Sequence, residues 1–269
     1  MISEKQNMSR TWYYTLARVI FFYLCSVAIF IVMSGLTKNM SSEIADLLSI
    51  LSSAILTLLL VLIFTRWEKL SLNDTGIIPG KKTASRFLVG YTIGLLLAAG
   101  QALTVLSFGH IQLSLVAELK VMDILLPLFL YLLIGCREEL VFRSYALRSL
   151  NYTIGPALAL TIITIIFILE HVAAGIPWKM AVIGSAMGGI LFGIASLKTK
   201  GLALPLGLHS AWNFGQWSLG FKNKPGIWEA VVEKGYELKM ENIGLMAFIL
   251  VMVLAISGIS IFYKRDNWL

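Results

Sequence analysis

An all-α bundle of about eight membrane-crossing helices is the fold class this chain predicts, on three observations. Of its 269 residues, 58% are hydrophobic and only 14% charged, where a soluble domain carries roughly a quarter charged residues; mean hydropathy is +0.81. Uncharged runs of about 20 residues, enough to cross ~30 Å of hydrocarbon, recur from one end of the sequence to the other. The connections between those runs divide their basic residues unequally, as in a protein inserted with a fixed orientation.

The first span covers 17–36 and the second 45–64, ending before Arg66-Trp67-Glu68-Lys69. The first apolar run is longer than a signal-peptide core and lacks a small-residue cleavage site after it, so it reads as a retained helix. Residues 65–86, with Asn73-Asp74-Thr75-Gly76 and Pro79-Gly80-Lys81-Lys82, form a turn-rich linker. A third span, 87–108, precedes a fourth that starts near Met122 and continues to about Leu150, an overlong helix whose polar end needs shelter. Gly155-Pro156 opens the fifth, 154–173, with proline in a favourable first-turn position. The sixth, 179–197, has small residues four apart at Gly184/Gly188 and Gly189/Gly193, a spacing that reads as close helix packing. Spans at 202–219 and 243–263 complete the set, separated by an amphiphilic loop over 220–241. With no internal repeat and no soluble second unit, residues 1–269 read as a single transmembrane domain.

Lysine and arginine in the connections set the orientation. Arg18, Arg137 and Arg143 lie within helices. One side receives Lys5, Arg10, Arg66, Lys69, Lys81, Lys82, Arg86, Arg148, Lys198, Lys200, Lys264 and Arg265; the other receives Lys38, Lys120, Lys179, Lys222, Lys224, Lys234 and Lys239. The excess on the first side places both termini in the cytoplasm. It also accounts for the net charge of +7 without nucleic acid, since no basic cluster with interleaved aromatics occurs. Cys25 and Cys136, both in apolar runs, offer neither a disulfide framework nor a cysteine-rich zinc site, and read as small hydrophobes.

Charged side chains at membrane depth cost at least ~2.5 kcal/mol each, so the run Gly135-Cys136-Arg137-Glu138-Glu139-Leu140-Val141-Phe142-Arg143 demands a role. Glu139 and Arg143, four apart, share a helix face and can neutralise each other, leaving Glu138, about 100° away, free for chemistry. Four more in-membrane polar residues stand out: Glu170, His171, His209 and Asn213. Glu138 and His171 each lie ~24 Å along their helices from the turn near 151–155, so antiparallel pairing brings them to similar depth. His209 and Asn213 rise ~13 and ~19 Å from the turn near 199–201 and share a face, as do Phe167 and His171. A carboxylate, two imidazoles and an amide thus converge on one cavity, expected in the cytoplasmic half of the membrane.

Those groups suit hydrolysis of a peptide bond. A desolvated glutamate takes a proton from water, a histidine shares that water, and histidine and asparagine donate to the oxyanion. Glu138, His171 and His209 are equally a zinc-type ligand set with an open position for water. Both chemistries stay open, although the absence of His-Glu-x-x-His excludes a zincin helix.

Glu138-Glu139-x-x-x-Arg143, Phe167-x-x-x-His171 and His209-x-x-x-Asn213, in that order on successive spans, resemble the three motifs of the CAAX prenyl endopeptidase and bacteriocin-processing (CPBP, or Abi) family over about 120–220. The resemblance implies an intramembrane endopeptidase of the plasma membrane, acting near the cytoplasmic side on a peptide or protein, lipidated or membrane-associated. Glu138 would be catalytic, Glu139 and Arg143 would organise the site, and His171 would hold the water. His209 with Asn213 would stabilise the oxyanion or contribute to binding a divalent metal such as zinc. A non-proteolytic bacteriocin self-immunity or membrane scaffold protein on the same fold is the alternative. A proton-coupled transporter is a third reading, but it calls for paired broken helices in two related halves, which the sequence lacks. Glu170, outside the motifs, reads as a packing hydrogen bond, and His110 as an incidental loop residue.

Overall fold

The computed structural model describes residues 11–222 and 224–263. Lys5, Arg10, Lys264 and Arg265 of the charge comparison lie outside them. In chain order the elements are α1 (Trp12–Thr37), α2 (Ser42–Trp67), α3 (Thr83–Leu106), β1 (Ile111–Leu115), α4 (Val121–Val141), α5 (Leu147–Ile154), α6 (Pro156–Ala173), α7 (Trp178–Met180), α8 (Ala186–Thr199), α9 (Ala203–Ser218), β2 (Trp228–Val232) and α10 (Glu237–Phe262). Among the described residues six helices are long and apolar enough to cross a membrane: α1, α2, α3, α6, the run from Trp178 to Thr199, and α10. The other two of the expected eight fall outside that group for reasons tied to the site. One, α4, carries Asp123, Arg137, Glu138 and Glu139, and α9 is only 16 residues long.

The overlong fourth span is broken by a π-helical turn over Phe142–Ala146, which joins α4 to α5. Ser144 leaves the helical region there (φ −84°, ψ −112°), and its hydroxyl donates to the Leu140 carbonyl. The turn begins three residues after Glu139; such bulges inside helices recur at functional sites. A second π-helical turn, Ala181–Ser185, joins α7 to α8. Gly155, at φ 82°, and Pro156 in the first turn of α6 make the break between α5 and α6, as their sequence predicts.

Polar contacts gather three connections at one end of the bundle. Arg86 Nη1 donates to Thr199 O at 2.8 Å and Tyr152 Oη to Asp74 O at 3.2 Å. Buried Glu68 accepts from Arg18 at 3.3 Å and from Ser149 at 2.6 Å. The start of α1 and the end of α10 belong to this end as well: Thr153 Oγ1 donates to Thr15 Oγ1 at 3.3 Å, and Lys198 Nζ to Tyr263 O at 2.5 Å. At the opposite end β1 and β2 pair antiparallel, with Leu113 facing Ala230. This ribbon corrects the all-α expectation and puts a strand inside the loop 220–241. Two five-residue strands so far apart in sequence give none of the hairpin signal that a short turn between them would supply.

Small residues set how closely the site-bearing helices approach. A Cβ on Gly207 of α9 would collide with the Phe87 carbonyl of α3, and one on Gly90 of α3 with the Leu204 carbonyl of α9. Close backbone approach of this kind is what small residues allow in membrane helices. Gly189 packs on Thr164 and Phe167 of α6, and Gly193 on Leu160. The packing reading of 189/193 therefore holds, whereas a Cβ on Gly184 would meet nothing within 4 Å. Phe22, Phe64, Phe142, Tyr145, Leu150 and Phe167 form a buried cluster on one side of the motif residues, and Leu191, Phe192, Leu204, Leu208 and Met252 a second on the other. Large apolar side chains such as Leu36, Leu96 and Phe262 face outward, as lipid-facing positions do. Both cysteines are free.

Candidate active site

One imidazole joins the two adjacent glutamates. His209 Nδ1 lies 2.9 Å from Glu139 Oε1 and His209 Nε2 lies 3.6 Å from Glu138 Oε2. A carboxylate only accepts, so Nδ1 carries the hydrogen of the shorter contact, and Nε2 is the nitrogen turned toward Glu138. Phe192 stacks on the ring at a centroid distance of 4.5 Å and 11° between planes. His209 is thereby held on a face as well as at a nitrogen.

Glu139 and Arg143 are on one face of the helix, as their spacing predicts, with Arg143 Nη1 3.6 Å from Glu139 Oε1. Arg143 is completely buried. Its guanidinium carbon lies 5.3, 4.5 and 5.6 Å from the ring centroids of Phe142, Phe167 and Phe192. In this cage ring faces, together with Glu139, meet the cation. The two carboxylates differ in surroundings. Glu139 is 1% exposed and engaged by His209 and Arg143, while Glu138 is 14% exposed and its Oε2 makes no hydrogen bond among the described residues.

His171 stands in the last turn of α6. Its Nδ1 donates to the Phe167 carbonyl at 2.8 Å, since a carbonyl can only accept, and its Nε2 is then left as an acceptor. The Phe167-x-x-x-His171 spacing is thus an internal anchor: residue 167 fixes the tautomer of residue 171. Asn213, one turn above His209, accepts at Oδ1 from Lys222 Nζ at 2.7 Å.

His171, His209 and Asn213 line one cavity of about 890 Å³, with Phe167 and Phe192 beside them. Its walls continue through Gly184, Ser185 and Gly188, through Gln101 of α3, and through Met240, Phe248 and Met252 of α10; Ile111 of β1 and Ala230 of β2 cover it. Gly184 and Gly188, expected as a packing pair, border this space instead, because the chain facing them stands back from α8. The cavity occupies the half of the bundle nearest the ribbon, opposite the end where α1 begins and α10 finishes.

Sequence reasoning misses Lys222. It lies just past α9, where only Gly220 signals a helix end, and reaches back into the cavity. Its Nζ is 5.0 Å from the Tyr131 ring centroid. Burial pushes the ammonium down to about 8, with Glu138 opposing the shift and Lys224 adding to it. Glu170, expected as a packing hydrogen bond, forms an ion pair with Arg137 at 2.6 Å. His110 belongs to the ribbon end, 2.7 Å from Glu233 and stacked on Tyr236 at 3.5 Å. Among the described residues no group of three or more His, Cys, Asp or Glu side chains is placed to hold a metal ion. Glu138 and His209 approach to 3.6 Å, but with His171 they do not form such a group, so the expected three-ligand zinc set is not assembled among the described residues.

Comparison with known proteins adds one finding. Residues 120–215 match a protein-family model described as Type II CAAX prenyl endopeptidase Rce1-like. No curated protein matches the chain. The matched stretch contains Glu138, Glu139, Arg143, His171, His209 and Asn213 and leaves out Lys222 and β2. Over residues 120–215 the chain is similar to the CAAX protease (CPBP) family, and its long apolar helices are those of a multi-pass membrane protein.

Proposed function

We propose that the chain is an intramembrane endopeptidase in which Glu138 activates the attacking water. The observation that carries this reading is the pair of contacts on His209. Glu139 anchors one nitrogen, and the other is turned to an otherwise unpartnered oxygen of Glu138. The 3.6 Å separation is too long for a hydrogen bond and short enough for both groups to touch one water.

In the proposed reaction Glu138 takes a proton from that water while His171 Nε2 accepts its second hydrogen. The water oxygen bonds to the scissile carbonyl carbon, and the charge that develops on the carbonyl oxygen is met by the Asn213 amide. Collapse breaks the carbon–nitrogen bond, and Glu138 passes its proton to the leaving amine. Glu139 and Arg143 keep the His209 ring in place throughout. No step requires a metal ion.

The proposal extends to topology. The whole chain forms one transmembrane domain of eight crossing segments, with α4–α5 and α9 as the two polar or short ones and both termini in the cytoplasm. The lysine and arginine bias supports that orientation. The cavity then opens toward the non-cytoplasmic face, and the substrate is a peptide presented there or from the bilayer, with lipidated peptides among the candidates. The apolar wall formed by Met240, Phe248 and Met252 supports a hydrophobic residue next to the cleaved bond.

Purified protein in lipid nanodiscs is expected to cleave members of a quenched hydrophobic peptide library, with product termini read by mass spectrometry and metal content measured on the same sample. Failure to cleave any sequence, with the protein folded, would reject the reading in favour of a scaffold or immunity role.

A further inference from the structure

Lys222 is placed by the way α9 ends. Gly220, at φ 74°, donates its N–H to Trp217 O at 3.0 Å, and Phe221 donates to Gln216 O at 2.9 Å. These are the two bonds of a Schellman cap. The cap turns the chain back toward the cavity, and the next side chain reaches Asn213, nine residues earlier, at 2.7 Å. Tyr131 holds the ammonium from the α4 side at 5.0 Å. Tyr131 and Glu138 are two helical turns apart and so lie on one face of α4.

The contact fixes the chemistry of the amide. An ammonium has donors and no acceptor, so the group it binds on Asn213 is Oδ1, and the remaining end is the NH₂, which can only donate. A terminal amide torsion is otherwise broad and nearly two-fold. Without the lysine, the same side chain can turn its oxygen toward the cavity, where it would repel a developing oxyanion.

We infer that Lys222 is a positioning residue for the reaction proposed above: by holding Asn213 Oδ1 it commits the Asn213 NH₂ to the cavity as an oxyanion donor. The inference rests on the proteolytic reading for its chemistry and on the observed contact for its geometry. Neither the matched family stretch, which ends before residue 222, nor any sequence motif assigns the lysine.

The test compares the full-length parent with K222M, K222R, N213A and K222M/N213A in nanodiscs, using a quenched peptide that the parent cleaves. Loss of one oxyanion donor lowers kcat by about 100-fold or more, and losing its orientation should cost about tenfold of that. K222M is therefore expected to lower kcat with KM unchanged, K222R to recover most of the rate, and K222M/N213A to be no slower than N213A. The melting midpoints of the same proteins should be equally non-additive. Parental kcat in K222M, or rate losses that simply multiply in the double variant, would overturn the positioning role even if melting shows the two residues coupled. Additive melting shifts would overturn the contact itself. A parent that cleaves nothing would instead reject the proteolytic reading, and the melting comparison would still decide whether Lys222 holds Asn213.

Discussion

Arg137 and Glu170 form a 2.6 Å ion pair that ties α4 to α6 immediately beside Glu138 on the first helix and His171 on the second. Arg137 also lies 4.8 Å over the Phe30 ring of α1. The two side chains are 5% and 18% exposed, so removing either leaves its partner's charge poorly solvated, at a cost of about 3 kcal/mol. R137M and E170M are each expected to lower the melting midpoint and slow cleavage. R137M/E170M should regain stability lost in the single variants, because no orphaned charge remains. Melting by intrinsic fluorescence across the set checks this; a double variant as unstable as the sum of the singles would contradict it.

Glycines on the site-bearing helices separate into those that permit contact and those that border empty space. G207A must displace the backbone of α3, which a Cβ there would strike, and overpacking of this kind costs about 1–3 kcal/mol. G184A meets nothing within 4 Å and gains up to about 1 kcal/mol of helix propensity. G207A is thus expected to melt earlier and G184A at or above the parental midpoint. G184F should keep the fold but raise KM, since its ring enters the cavity. Melting curves and a Michaelis analysis separate the two effects.

Orientation can be read directly. In a C25A/C136A background, single cysteines at exposed Ser114 of the ribbon and exposed Asn73 of the α2–α3 linker report opposite ends of the bundle. A membrane-impermeant maleimide applied to intact cells should label S114C and spare N73C until the membrane is opened. The reverse pattern would put the cavity on the cytoplasmic face and the termini outside.

The motif residues are legible in the sequence because each is a polar side chain inside an apolar run, where nothing but function or pairing sustains it. Glu139 with Arg143, and His209 with Asn213, follow from i, i+4 spacing alone, and so does the first turn of α6 from Gly155-Pro156. Contacts between distant segments are not legible. β1 and β2 are five residues each and meet only through the tertiary fold, and Lys222 is an ordinary loop lysine until the Schellman cap aims it. Gly90 and Gly207 sit on different helices, so no local spacing joins them. Glu170 reads as a packing residue, but its partner Arg137 emerges only when α4 is placed against α6.

The central claim is that Glu138, and not its buried neighbour Glu139, activates water for peptide hydrolysis. E138Q keeps the size of the side chain and removes the base, so it measures that claim most directly. The account predicts that E138Q in nanodiscs melts within about 2 °C of the parent, a shift no larger than ~1 kcal/mol would give, while cleavage of the parental peptide falls below detection. Cleavage by E138Q at the parental rate would contradict it.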